Sequence, residues 1–134
     1  MQPFEKTEKM APLKLLIVDD EVAYVDVLRR RMEKRNLKVE AAHSGAEAIR
    51  KLRGDFFDIA IIDLKMEDMD GLEVLKIFKK MDPDMPVIIV TGHGSEQAAR
   101  DGIAHGAYDY LMKPCDFEIL MEKIQEAARA RQSD

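Results

Sequence analysis

Short apolar runs alternate along the chain with longer segments of helical periodicity. The runs are brief and nearly uninterrupted, as in strands buried on both faces, whereas the longer segments repeat apolar residues every three or four positions, as in helices with one buried face. A helical segment follows each predicted strand. The alternation predicts a parallel sheet covered by five helices, with the five strands Leu13–Val18, Leu37–Ala42, Ile59–Ile62, Val87–Val90 and Tyr108–Met112.

Polar residues between these segments refine the prediction. Ser44 and Ser95 stand where an N-cap is needed before the second and fourth helices. The second strand carries two charged residues, which indicates a place at the edge of the sheet. In the fourth helix, at 96–104, Ile103 is the one large apolar residue besides the alanines, so we expect this helix to pack lightly.

The composition is that of one globular domain. The chain has 134 residues, of which 46% are hydrophobic and 35% charged. We expect a flexible tail at residues 1–12, the domain at 13–130 and a short tail at 131–134. The net charge of −5 argues against direct binding to nucleic acid or to an anionic membrane surface, because like charges repel.

Cysteine content and hydropathy both predict a cytoplasmic protein. Cys115 is the sole cysteine, so the chain can form no internal disulfide, which suits a reducing compartment. The longest apolar runs are far shorter than the roughly 20 residues of a membrane-spanning helix. The first twelve residues lack the apolar stretch of a secretory signal.

Polar side chains follow four of the five predicted strands. They are Asp19 and Asp20 after the first strand, Asp63 after the third, Thr91 after the fourth and Lys113 after the fifth. Because the carboxyl ends of parallel strands meet at one edge of a sheet, we expect these side chains to converge.

Converging carboxylates predict a divalent cation. Three acids held together repel one another and need a cation to stay ionised. Mg²⁺, with Mn²⁺ as a substitute, fits because it is a hard cation that prefers oxygen ligands. A lysine and a threonine at the same edge can hold the oxygens of a phosphoryl group, and a carboxylate can attack phosphorus to form an aspartyl phosphate. The set predicts magnesium-dependent phosphoryl transfer.

This pattern resembles the receiver domain of two-component response regulators. The shared features are the paired acids, the later single acid, the threonine and the Lys113-Pro114 pair, and the resemblance covers Leu13–Arg129. It implies a doubly wound, flavodoxin-like (βα)5 fold with strand order 2-1-3-4-5. It also implies a signalling role, in which the chain catalyses only its own phosphorylation and dephosphorylation.

The resemblance assigns a role to each matched residue. Asp63 is implied to be the phosphoacceptor, and Lys113 to pair with the phosphoryl group. Mg²⁺ is implied to be bound by Asp20 directly, by Asp63, by the backbone carbonyl of Lys65, and by Asp19 in an assisting position.

Three further positions follow from the same resemblance. Thr91 is implied to hydrogen-bond the phosphoryl group and to move when that group arrives. Tyr110 matches the aromatic switch position, and the peptide bond before Pro114 is expected to be cis.

The resemblance also implies partners. The phosphoryl donor would be a sensor histidine kinase or a phosphotransfer protein, and the target a downstream protein or an output domain. A phosphorylation-dependent homodimer is a further expectation. The sequence departs from the family at Glu67, where proline is common, while Lys65 and His93 occupy positions that influence how water reaches the phosphoryl group.

Other interpretations cover parts of the pattern. Asp19 and Asp20 could simply cap the first helix. The chain could be a receiver-like module that binds partners without being phosphorylated, which the acids and Lys113 argue against. It could also be a small-molecule phosphatase with an aspartyl intermediate, although no cap domain or substrate pocket is evident.

Overall fold

A parallel five-stranded sheet forms the centre of the protein. A computed structural model describes residues 12–132. The sheet has the order β2-β1-β3-β4-β5, with all four strand pairs parallel. Its strands are β1 (Lys14–Val18), β2 (Lys38–Ala42), β3 (Ile59–Ile62), β4 (Val87–Thr91) and β5 (Asp109–Met112). The predicted fold class and strand order are therefore confirmed, and the charged β2 lies at an edge.

One helix follows each strand, as predicted. The helices are α1 (Val22–Glu33), α2 (Gly45–Gly54), α3 (Gly71–Met81), α4 (Glu96–Ala104) and α5 (Phe117–Gln132). Ser44 accepts a hydrogen bond from the Glu47 amide, and Ser95 accepts one from the Ala98 amide, so both predicted N-caps are confirmed. Each cap satisfies an amide that has no partner within its own helix.

The sheet separates two hydrophobic cores. Successive strand residues point to opposite faces, so Leu15 and Ile17 lie in one core while Leu16 and Val18 lie in the other. The first core is closed by α1 and α5, and the second by α2 and α3 with lighter contacts from α4. In α4 only Gly102 is buried, which confirms the predicted light packing.

The element boundaries differ from the predicted ones by a few residues. The last helix, α5, ends at Gln132, two residues beyond the predicted end of the domain at residue 130. Residues 1–11, which make up most of the predicted N-terminal tail, and residues 133–134, which are half of the predicted C-terminal tail, lie outside the described residues. None of the helices within 12–132 is long and apolar enough to cross a membrane.

Candidate functional site

Backbone pairing brings the acids of β1 and β3 side by side. The Asp63 amide donates to the carbonyl of Val18 at 2.9 Å, and the Asp19 amide donates to the carbonyl of Ala42 at 3.0 Å. These bonds continue the parallel pairing one residue past the strands. Asp19 and Asp63 are consequently fixed at the carboxyl edge of the sheet, and each is only 3% exposed.

Three carboxylates form a cluster that suits a hard cation. One carboxylate oxygen from each of Asp19, Asp20 and Asp63 lies within 4.8 Å of the other two. Two of these acids are buried and the third, Asp20, is half-buried, so one side of the cluster faces solvent. Oxygen ligands with an open side match the coordination of Mg²⁺, which keeps several waters. The donor set therefore fits the expected metal.

Lys113 enters the same cluster from the end of β5. Its ammonium group donates to Asp19 Oδ2 at 2.8 Å and to Glu21 Oε1 at 2.6 Å, and lies 3.4 Å from Asp63 Oδ2. The Lys113 amide donates to the carbonyl of Thr91 at 2.9 Å, and the Lys113–Pro114 peptide bond is cis, as expected. Adjacent strand ends thus hold the lysine over the acids.

The ionisation of this cluster reflects burial and charge acting in opposite directions. Burial raises the pKa of Asp19, with a smaller contribution from the charge of Asp63, and outweighs the lowering effect of Lys113 and of the Glu21 amide. For Lys113 burial alone would lower the pKa, but hydrogen bonds to Asp19 and Glu21 and the nearby negative charges raise it overall. Lys113 is therefore a firmly protonated cation.

Two residues of the site were missed by sequence reasoning. Glu21 bonds Lys113, and the ring of Tyr24 lies under the lysine, with its centroid 4.2 Å from Nζ. Burial raises the pKa of Tyr24 to about 12. The run of three acids at 19–21 was a usable signal for Glu21, whereas nothing in the local pattern pointed to Tyr24.

A third residue that was not anticipated supports the acidic loop. The ring Nδ1 of His43 lies 2.9 Å from the carbonyl oxygen of Asp19, and the His43 amide donates to Glu47 at 2.8 Å. His43 follows β2, so the loops after the two neighbouring strands are joined by this bond. The sequence gives no signal for this role, because His43 lies in no pattern with metal-ligand spacing.

Thr91 lies in β4 and Tyr110 lies in the neighbouring strand, β5. Thr91 is fully buried, and its hydroxyl accepts a bond from the His93 amide at 3.1 Å. Tyr110 packs against the core formed with α2, α3 and α4, and its buried hydroxyl has no hydrogen-bond partner in the described part of the chain. An added Cβ at Gly94 would lie 1.6 Å from that hydroxyl, so the glycine makes room for the inward ring.

An open cavity of about 240 Å³ lies beside the acids. It is lined by Asp20, Glu21, Asp63, Lys65, Met66, Glu67 and His93. The predicted neighbours Lys65 and His93 thus stand at the same opening as the Asp63 carboxylate. Asp63 therefore lines a cavity that is open to solvent.

The simpler interpretation, that Asp19 and Asp20 only cap the first helix, accounts for one hydrogen bond. Asp19 Oδ1 accepts from the Glu21 amide at 2.9 Å. Glu21 is the N-cap of α1, but its side chain makes no capping bond, and the first turn of α1 contains no acid. Helix capping therefore does not explain why Asp19 and Asp20 are gathered beside Asp63.

Comparisons with known proteins identify the family. The family model for the response regulator receiver domain matches residues 15–125. The transcriptional regulatory protein ZraR of Klebsiella oxytoca is 36% identical over 113 residues, covering 84% of this chain and 26% of that protein. GlrR of Escherichia coli is 38% identical over 116 residues, covering 87% and 26%. The chain thus spans about a quarter of the length of these curated relatives.

Solved structures agree with this identification. A CheY-like receiver domain from Methanospirillum hungatei superposes with a TM-score of 0.88 at 34% identity, covering 91% of this chain and 98% of the other. The beryllofluoride-activated NtrC4 receiver domain dimer gives a TM-score of 0.84 at 33% identity, covering 88% and 98%. The chain belongs to the response regulator receiver domain family and is a receiver domain of two-component signalling, a family whose general mechanism is phosphorylation of an aspartate.

Proposed function

We propose that Asp63 is the residue of this receiver that accepts the phosphoryl group. The observation that carries the proposal is the position of its carboxylate: Asp63 is buried, lines the open cavity, is clustered with Asp19 and Asp20, and lies 3.4 Å from the Lys113 ammonium. Asp63 is the acid of this cluster that combines two features. It lines the cavity together with Lys65 and His93, and it also pairs with the ammonium group of Lys113.

The reaction is a transfer between two nucleophiles. A carboxylate oxygen of Asp63 attacks phosphorus, a P–O bond forms, and the bond from phosphorus to the donor breaks. With a phosphohistidine donor the leaving group is the imidazole nitrogen, which keeps the electron pair. Water later attacks the aspartyl phosphate, releasing inorganic phosphate and restoring the carboxylate. Both half-reactions are proposed as activities of the receiver itself.

The acids and one carbonyl are proposed to hold Mg²⁺. Asp20 and Asp63 would be direct ligands, the carbonyl of Lys65 another, and Asp19 would assist. When bound, the ion offsets the negative charge of the acids and of the incoming phosphoryl group. Lys113 holds phosphoryl oxygens by its ammonium group, which its contacts with Asp19 and Asp63 keep protonated.

Thr91 and Tyr110 are proposed to relay the modification. The Thr91 hydroxyl would move towards a phosphoryl oxygen, exchanging its bond to the His93 amide. Tyr110, on the adjacent strand, would follow that movement and change the surface made by α4, β5 and α5. Exposed apolar side chains in or beside these elements are Ile103 in α4, Tyr108 and Met112 at the two ends of β5, and Ile119 in α5.

The proposed partners are those of a receiver. A sensor histidine kinase or a phosphotransfer protein supplies the phosphoryl group, and a downstream protein or an output domain responds to the altered surface. Phosphorylation-dependent homodimerisation is proposed by analogy with the NtrC4 receiver dimer. We also propose a cytoplasmic location, since Cys115 is free and forms no internal disulfide. The net charge of −5 supports recognition of proteins rather than nucleic acid.

Intact-mass spectrometry tests the proposal. The chain is incubated with Mg²⁺ and acetyl phosphate and compared with Asp63→Asn and with a sample containing EDTA. A matched control is Asp58→Asn, which changes an acid at the opposite end of β3. We expect one added phosphoryl group in the wild type and in Asp58→Asn, and none with Asp63→Asn or EDTA. Equal phosphorylation of Asp63→Asn would contradict the proposal, and no phosphorylation by any donor would favour the phosphate-independent module.

A further inference from the structure

The first turn of α2 is completed by a residue from another loop. The first three amides of the helix are those of Gly45, Ala46 and Glu47. Ser44, the local N-cap, takes the Glu47 amide at 3.1 Å. The carboxylate of Asp68 accepts hydrogen bonds from the other two amides, with Oδ1 2.9 Å from the Gly45 amide and Oδ2 3.0 Å from the Ala46 amide. A carboxylate at this end also opposes the positive pole of the helix.

Asp68 belongs to the loop that begins with the proposed acceptor. That loop runs from Asp63 to Asp70, and its base is closed by an antiparallel bridge between Lys65 and Asp70. The amide of Gly71 also donates to the carbonyl of Leu64 at 2.7 Å. Its tip, residues 66–69, projects towards α2, and within residues 12–132 the Asp68 carboxylate makes the hydrogen bonds that join this tip to another element.

Packing at the same place depends on a glycine. A Cβ added at Gly45 would lie 2.8 Å from Met69 Sδ and 2.9 Å from Met69 Cβ. The missing side chain lets Met69 lie against the start of α2, beside the two hydrogen bonds of Asp68. The backbone bonds lower the pKa of Asp68, so the carboxylate is ionised at neutral pH.

We propose that Asp68 is a positioning residue that docks the tip of the β3–α3 loop on α2 and thereby keeps the carbonyl of Lys65 and the carboxylate of Asp63 in place for Mg²⁺. The proposal rests on the proposed function, because it assumes that these two groups bind the metal. Within the tip, Met66 is buried in the core and Met69 packs against it, whereas Glu67 is exposed and its amide donates no hydrogen bond in the described part of the chain. Docking by Asp68 adds directional hydrogen bonds to these apolar contacts.

Mg²⁺ titration of the whole chain, followed by amide NMR shifts, tests this role. In Asp68→Ala we expect the loop to be docked in only about a tenth to a fifth of the molecules. The apparent Kd for Mg²⁺ should then rise about five- to tenfold, because it equals the intrinsic Kd divided by the docked fraction. Asp68→Asn keeps one acceptor oxygen and should give a smaller rise. The probe is Mg²⁺ alone, without a phosphoryl donor.

Ser44→Ala is the matched control for a purely structural effect. It removes a cap from the same end of the same helix without touching the loop, so it should lower stability while changing the Kd less than twofold. A rescue variant adds Glu67→Pro to Asp68→Ala, since proline fixes φ and costs no hydrogen bond there. It should regain at least half of the lost affinity.

The outcomes separate this inference from the proposed function. Unchanged Mg²⁺ affinity in Asp68→Ala, an equal loss in Ser44→Ala, or no recovery with Glu67→Pro would each overturn the positioning role while leaving the acceptor proposal intact. A wild type that fails to bind Mg²⁺ would instead overturn the metal site of the proposed function, and the role of Asp68 with it.

Discussion

The ammonium group of Lys113 lies 2.8 Å from Asp19 Oδ2, closer than the 3.4 Å that separates it from Asp63 Oδ2. The positive charge of Lys113 therefore offsets the negative charge of Asp19 more than that of Asp63, the proposed acceptor. Lys113 and the proposed Mg²⁺ would therefore act on the same carboxylates. Arrival of a phosphoryl group on Asp63 would give the lysine a stronger partner than it has now.

Removing the lysine should affect metal binding and phosphorylation in opposite directions. In Lys113→Met we expect Mg²⁺ to bind about tenfold more tightly at low salt, because a competing positive charge is gone. Phosphorylation by acetyl phosphate should slow by about 100-fold, since a donor to the phosphoryl oxygens is lost. Isothermal titration and mass spectrometry measure the two effects.

Lys123→Met is the control for that experiment. It removes the same charge from a lysine that pairs with Asp109 on the α5 side. Both its Mg²⁺ affinity and its phosphorylation rate should stay within twofold of the wild type. An unchanged Mg²⁺ affinity in Lys113→Met would show that the lysine does not compete with the metal.

Neutralising Asp19 should stabilise the metal-free protein. Because burial raises the pKa of Asp19, the folded state binds a proton more readily than the unfolded state, so the ionised acid costs stability at neutral pH. We expect Asp19→Asn to be more stable than the wild type in urea unfolding at pH 7 with EDTA present. The gain should shrink as the pH falls through the folded pKa towards the ordinary value of 3.8, where the wild-type acid is also neutral. A loss of stability at pH 7 would refute this account.

The buried hydroxyl of Tyr110 predicts an unusual result for a conservative change. The hydroxyl has no hydrogen-bond partner in the region that the structure describes, so removing it relieves an uncompensated desolvation cost. We expect Tyr110→Phe to raise the free energy of unfolding by about 1 kcal/mol. Tyr108→Phe, at an exposed tyrosine of the same segment, should change it by less than about 0.5 kcal/mol. Destabilisation by Tyr110→Phe would mean that the hydroxyl is satisfied by water.

Gly71 should tolerate no side chain. An added Cβ would lie 2.2 Å from the carbonyl oxygen of Asp63 and 2.6 Å from Leu64 Cα, and backbone atoms cannot move aside locally. We expect Gly71→Ala to cost at least about 2 kcal/mol and to weaken Mg²⁺ binding. Gly54→Ala is the matched control, because nothing lies within 4 Å of its added Cβ, and it should gain up to about 1 kcal/mol. Chemical denaturation of both variants decides the matter, and equal stabilities would contradict the prediction.

Most of the fold could be predicted because parallel strands that are buried on both faces consist of consecutive apolar residues. β3 was predicted with its observed bounds, Ile59–Ile62, since Asp58 and Asp63 flank four apolar residues. The gathering of Asp19, Asp20 and Asp63 followed from the rule that parallel strands end at one edge.

The contacts that escaped prediction depend on side-chain direction rather than on pattern. Glu21 and Lys113 meet across 92 residues, and Asp68 reaches Gly45 across 23. Neither spacing is periodic, so no local rule indicates these pairs.

The most direct test of the central claim is to locate the phosphoryl group. The protein is incubated with Mg²⁺ and acetyl phosphate and treated with borohydride, which reduces an aspartyl phosphate to homoserine, and the peptides are sequenced by mass spectrometry. The account predicts homoserine at position 63 in the wild type, with Asp19 and Asp20 unchanged, and none without Mg²⁺. Homoserine at position 19 or 20 instead, with Asp63 intact, would contradict it.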